Sequence, residues 1–312
     1  MKVMILGSNG QLGKSLKQCF KKTDYKCYFF NKNDLDINDQ IKLNKKFNSI
    51  KPNIIINACA YTNVDKAEEN FNEANNVNNL SVGMLAQHCL NNDCFLIHIS
   101  TDYVFDGFSE SPYKEDDKKN PLGVYGRTKL DGENRILESN CKFCIIRTSW
   151  LFSEFGNNFL KSILNLASKN NEIPVISDQI GAPTYSGDIS RAIITILPFI
   201  KNGAITNEIL HYSGKTFCSW FEFAKNIIEI AKEEKILKNI PILKKIPSSE
   251  YPAKAKRPLN SSLSSEKMST QFRIKPSDWK KGIKEVIRSL KKNRTYDFKI
   301  KNIMKSNNII TL

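Results

Sequence analysis

Short apolar runs alternate along this chain with segments whose apolar residues recur every three or four positions. Residues 2–6, 26–30, 53–57, 94–99, 143–147 and 173–176 are nearly continuous apolar runs, as strands buried on both faces of a parallel sheet require. Between them, residues 11–22 and 73–90 read as amphipathic helices, the second with Val77, Leu80, Met84, Leu85 and Cys89 as its apolar stripe. A further helix is expected to start near Pro121, a residue preferred in a first turn. Later helices are expected near Gly156, near Ser186, over 220–233 and over 278–290, with a strand over 209–212; residues 241–259 read as irregular. Regular strand–helix alternation predicts an α/β fold, a doubly wound parallel sheet with a smaller C-terminal lobe. The expected division is a nucleotide-binding domain over 1–150, to which segments near 157–177 and 186–212 return, and a mainly substrate-binding lobe over 151–295. Residues 296–312 read as a basic, frayed or disordered tail.

The run Gly7-Ser8-Asn9-Gly10-Gln11-Leu12-Gly13 follows the first strand and opens the first helix. Strand, glycine-rich turn, helix is the setting of a Rossmann-type dinucleotide fingerprint. Glycines let the backbone approach a pyrophosphate, and the helix N-terminus offers free N–H groups and the positive end of its dipole. The spacing is G-x-x-G-x-x-G rather than G-x-G-x-x-G. An acidic residue at the end of the second strand would bind the ribose hydroxyls of NAD. Asn31-Lys32 stands there instead, which tilts toward tolerance of a 2′-phosphate and leaves NADPH and NADH both open. Asp36 and Ile37 either flank the adenine or, for Asp36, cap a helix. Ala58-Cys59-Ala60-Tyr61-Thr62, after the third strand, is a loop small enough for a cofactor to approach, or a close packing turn.

Ser100 and Thr101 end the fourth strand, where ligands of parallel sheets bind. Tyr125 and Lys129 are four apart, one turn from each other on a shared helix face. A free tyrosine has a pKa of about 10, and a nearby ammonium lowers it toward the working pH that acid–base catalysis needs. Lys129 to supply charge, Tyr125 a proton, and Thr101 or Ser100 a hydrogen bond to a carbonyl oxygen form a set suited to ketone reduction beside a hydride donor.

The formal net charge is +15, but the lysines are scattered and no compact basic block with interleaved aromatics precedes the last few dozen residues. Most of the excess reads as solvated surface with a bias toward an anionic ligand, not as a nucleic-acid site. Cys141-x-x-Cys144 has no second pair at zinc spacing, so no metal is expected. No apolar run approaches a membrane span, and with no signal peptide before the first strand a reducing, cytoplasmic setting is expected.

In order, the segments 7–13, 57–68, 100–107, 121–129, 147–150, 156–159, 178–184 and 257–261 resemble the dTDP-4-dehydrorhamnose reductase family of extended short-chain dehydrogenases/reductases, over residues 1 to about 290. The resemblance implies reduction of the 4-keto group of dTDP-4-dehydro-β-L-rhamnose by NADPH or NADH, in the synthesis of an activated sugar for cell-surface polysaccharide. It implies Tyr125 as proton donor, Lys129 tuning it and holding the nicotinamide ribose, and Thr101 beside the carbonyl. Cofactor contacts are implied at Gly10, Gln11, Leu12, Asp36, Ile37, Ala60, Tyr61, Thr62 and Ile99; Gly7, Gly13 and Ala58 of the same segments, and Asn31 at the end of the second strand, are expected beside them. Sugar-nucleotide contacts are implied at Thr101, Asp102, Val104 and Trp150, with Asn158 and Arg257. Cys59 and Tyr61 depart from the family's commoner small residue and His. A homodimer is left open; Lys14-Ser15-Leu16 offers no carboxylates for a metal bridge. Two other readings share the fold: a reductase of another 4-keto-6-deoxy sugar nucleotide, and a non-catalytic NADP-binding subunit like the β subunit of methionine adenosyltransferase.

Overall fold

The computed structural model describes residues 1–237 and 239–292. The tail expected over 296–312 lies outside the described residues. Six parallel strands form one sheet: β1 (Lys2–Leu6), β2 (Lys26–Phe30), β3 (Ile54–Asn57), β4 (Phe95–Thr101), β5 (Phe143–Thr148) and the strand Asn207–His211. Their spatial order is Asn207–His211, β5, β4, β3, β1, β2. The chain runs outward from β1 in both directions, so a crevice opens beyond the carboxyl ends of β1 and β3.

Alternation along β1 shows why both faces are covered. Val3 and Ile5 face one core with α1 (Gln11–Phe20) and the helix Ser186–Lys201. Met4 and Leu6 face another with Leu43, Phe47, Val82 and Leu85. Segment 186–212 thus supplies one covering helix and the sixth strand.

Segment 157–177 does not return to this sheet. Its strand Glu172–Ile176 pairs in parallel with Ile242–Ile246, which lies within the stretch expected to be irregular. Leu160, Ile163, Ile173 and Val175 turn into a separate core with the helices Trp220–Glu233 and Trp279–Lys292, so burial draws the segment to the lobe.

Two helices differ from expectation. The helix expected from Pro121 spans Val124–Glu138, and its first N–H is capped by Glu68 Oε1, 2.8 Å from Val124 N. The helix expected over 73–90 is interrupted by a π-helical turn at Asn76–Leu80. The wider turn breaks the expected stripe: Leu80 is 40% exposed, while Asn78 and Asn79 are buried. Asn78 clamps the β3 loop to the Val124–Glu138 helix, accepting from Tyr61 N at 2.8 Å and donating to Tyr61 O and Thr128 Oγ1. Cys141 and Cys144 are buried, and all eight cysteines are free. Among the described residues, no helix is long and apolar enough to cross a membrane.

Candidate active site

The glycine turn forms the floor. Gly7 has φ +82°, and a Cβ on Gly13 would stand 2.2 Å from Gly7 O, so only this composition lets α1 start so close to the turn. Ser8 N–H donates to Phe30 O at 2.9 Å and ties the turn to the end of β2. Gly10, Gln11 and Leu12 open onto a cleft of about 710 Å³ along the carboxyl ends of the strands. Ala58, Ala60, Thr62 and Ile99 continue its wall, and Thr101, Tyr125 and Lys129 enter it from β4 and the Val124–Glu138 helix.

Thr101 Oγ1 donates to Asp102 Oδ1 at 3.0 Å and accepts from Tyr103 N–H. Tyr125 is brought close because Gly126 packs against the backbone: a Cβ there would lie 2.1 Å from Tyr103 O. Burial pushes the Tyr125 phenol up to about 12, with the neighbouring Thr101 hydroxyl working against it. The lowering of Tyr125 by Lys129 expected from their spacing is absent, because Nζ is engaged elsewhere. Lys129 Nζ donates to Ile99 O at 2.7 Å and lies 3.2 Å from His98 Nε2. Burial brings Lys129 down to about 8, and Glu133, one turn further along the helix, opposes that. Glu133 itself makes a fully buried pair with Arg147, 2.7 Å between Oε2 and Nη2, and accepts from the Ser100 hydroxyl.

On the opposite side, Trp150 and Trp220 stack at the cleft wall. Asp102 also faces the cleft; Oδ2 has no hydrogen-bond partner, and burial pushes its carboxyl up to about 7. Asn158 lines the cleft as well, but its side chain caps the helix Phe159–Ala167 and donates to Gln11 Oε1 at 2.8 Å. Trp220 was missed as a site residue. Read in sequence it only opens a helix, behind the capping box of Ser219 and Glu222, and nothing local pairs it with Trp150.

Eight expected site residues lie outside the cleft wall; two of them, Gly7 and Gly13, shape the turn behind it. The Val104 side chain is wholly buried in a small core with Phe105, Tyr113 and Leu263. Arg257 is held against Asp65, Nη2 to Oδ2 at 2.9 Å, instead of reaching toward a phosphate site. Ile37 packs into the core beneath β1, and Asp36 closes a turn by accepting from Asn38; the helix cap considered for it is Asp39, which accepts from Lys42 N. Tyr61 is held by Asn78 through its backbone. Asn31 accepts from the N–H groups of Asn33 and Asp34 and donates to the Asp34 carboxylate at 2.5 Å. A carboxylate therefore does stand at the end of β2, supplied from three residues further on.

The ordered chain from glycine turn to Thr101, Tyr125 and Lys129 runs through one fold, and a family model described as the RmlD substrate binding domain matches residues 1–292. The chain belongs to the RmlD substrate binding domain family. Within it, the chain is 42% identical over 287 residues to a dTDP-4-dehydrorhamnose reductase of Aggregatibacter actinomycetemcomitans, covering 91% of this chain and 98% of that protein. A crystal structure of a dTDP-4-dehydrorhamnose reductase from Clostridium acetobutylicum superposes with a TM-score of 0.85 at 36% identity, over 93% of this chain and 100% of that one. The Bacillus anthracis dTDP-4-dehydrorhamnose reductase, solved in complex with NADP, does so with a TM-score of 0.84 at 33% identity, over 92% and 99%.

Proposed function

We propose that this protein reduces the 4-keto group of dTDP-4-dehydro-β-L-rhamnose to the alcohol of dTDP-β-L-rhamnose, with NADPH or NADH, in dTDP-rhamnose biosynthesis. The observation that carries this reading is the meeting of Thr101, Tyr125 and Lys129 in the same cleft as Gly10, Gln11 and Leu12. The relatives named for that reaction support it along almost the whole chain.

The residues fit a dinucleotide. Gly10 presents bare backbone, with only Gly7 O, at 3.4 Å, within reach of an added Cβ. Gln11 and Leu12 carry N–H groups of the first turn of α1, which favour a pyrophosphate. When bound, the nicotinamide supplies a hydride to the keto carbon. Tyr125 gives its phenolic proton to the carbonyl oxygen as that hydride arrives, and Thr101 holds the oxygen by a hydrogen bond. Burial keeps Tyr125 protonated through neutral pH, the state a donor needs. Lys129 holds the ribose next to the ring, and Trp150 and Trp220 offer a flat apolar wall to the sugar nucleotide. Asp102 accepts from a sugar hydroxyl. Eight free thiols suit a cytoplasmic, reducing compartment.

The test is reduced-nicotinamide oxidation on addition of enzymatically prepared dTDP-4-dehydro-L-rhamnose. Steady oxidation is expected. Tight NADPH binding without oxidation by any 4-keto-6-deoxy sugar nucleotide would reassign the chain to a binding role.

A further inference from the structure

A directional chain of hydrogen bonds ends on Lys129. Cys59 N–H donates to Asn57 Oδ1 at 3.1 Å. This sets which way the Asn57 amide faces, because turning it over would place two donors against each other. Asn57 Nδ2 therefore donates to His98 Nδ1, 3.1 Å away. A neutral imidazole that accepts at Nδ1 carries its proton on Nε2. The imidazolium form is disfavoured: His98 is wholly buried, and burial pushes its pKa well below the usual range. His98 Nε2 lies 3.2 Å from Lys129 Nζ. An ammonium has three donors and no acceptor, so it cannot receive that N–H. An uncharged amine can, while still donating to Ile99 O.

We propose that His98 is a positioning residue that favours the uncharged amine of Lys129 in the cofactor-free protein at mildly alkaline pH, and that loading the cleft there with the dinucleotide draws one proton from solvent onto Lys129. The proposal rests on the cofactor reading above. The proton balance is simple: the amine gains a proton from the buffer and becomes an ammonium, and nothing is oxidised or reduced. The titratable groups facing Nζ are Glu133 from its own helix, Cys59 from the loop after β3, and His98 from β4. Glu133 and Cys59 favour charge on Lys129, but burial outweighs them and holds it at about 8. Glu133 is also engaged by Arg147. A dinucleotide brings negative charge and ribose oxygens, and both favour the ammonium.

The experiment is calorimetric titration of NADPH into the full chain at about pH 9, in two buffers of different ionisation enthalpy. Uptake close to one proton per site is expected, from an amine titrating near 8 that becomes charged on binding. In Asn57→Asp the carboxylate accepts from both Cys59 N–H and His98 Nδ1–H. The imidazole proton then sits on Nδ1, Nε2 accepts from an ammonium, and uptake should fall toward zero with NADPH still bound. In the cofactor-free parent, the lysine side-chain nitrogen signal that Lys129→Arg removes should titrate near pH 8 by NMR. NADPH binding without proton uptake, equal uptake in Asn57→Asp, or a Lys129 titration above about pH 10 overturns the proposal. Absence of NADPH binding instead sinks the cofactor reading, and the NMR titration then decides the hydrogen-bond polarity by itself. That titration needs only the parent and Lys129→Arg, so it decides the matter even if Asn57→Asp fails to fold.

Discussion

Trp150 lies flat on Trp220, with ring centroids 3.4 Å apart and planes 5° from parallel. Trp150 follows β5 with a left-handed backbone, φ 44°, while Trp220 opens a helix of the second lobe. The stack therefore joins sheet and lobe at the wall of the cleft. Trp220→Ala should leave the Trp150 indole unsupported and raise KM for the sugar nucleotide about fivefold, since such a pair is worth about 1 kcal/mol beyond the area it buries. Steady-state kinetics at saturating NADPH checks this; an unchanged KM with a lowered kcat would remove Trp220 from the substrate wall.

Tyr125→Phe removes the proposed proton donor while keeping the ring that packs edge-on against Tyr103. Turnover should fall on the order of a hundredfold or more, with NADPH affinity and melting temperature nearly unchanged. Stopped-flow hydride transfer and a binding titration separate the two effects.

Asp102 gives stability a defined dependence on pH. Its carboxyl is pushed up to about 7 by burial, so the folded chain keeps a proton that the unfolded chain releases above about pH 4. Stability therefore drops as pH rises from about 4 to about 7, by on the order of 4 kcal/mol at most. Asp102→Asn should lose less stability than the parent over that window, measured as urea midpoints at pH 5 and pH 8.

Gly126→Ala tests the close approach that places Tyr125. In an open helix this change would add about 1 kcal/mol of stability. Here the new Cβ would meet Tyr103 O at 2.1 Å. A net loss of about 1–3 kcal/mol in chemical denaturation is expected, with lower turnover as the helix shifts.

Glu133→Gln should cost about 3–5 kcal/mol, because it leaves the Arg147 guanidinium buried without its counter-charge. Adding Arg147→Met should recover part of that loss. Thermal and chemical denaturation of the single and double variants checks the sign of the recovery.

Much of the site was legible because it is built from short spacings. The glycine turn after a strand, a hydroxyl at the end of β4 and Tyr125 four residues before Lys129 depend only on local periodicity. Asn31 shows the limit of such reading. In sequence it reads as a missing acid, yet its side chain folds Asp34 back to the end of β2. Val104 and Arg257 were expected at the substrate, but one is enclosed by Phe105 and Tyr113 and the other is held by Asp65. Each is a contact between residues that share no helix turn or strand pair.

By itself the sequence determined the alternation of strands and helices, the parallel sheet and the spacing that puts Tyr125 and Lys129 on one helix, because hydrophobic period and spacing belong to the chain at short range. Tertiary structure decided three things. The strand Glu172–Ile176 left the large sheet for Ile242–Ile246, Trp220 met Trp150, and Lys129 turned to His98 and Ile99 rather than to Tyr125. These outcomes follow from desolvation and from contacts between distant segments, and their free energies exist only once the chain has closed on itself.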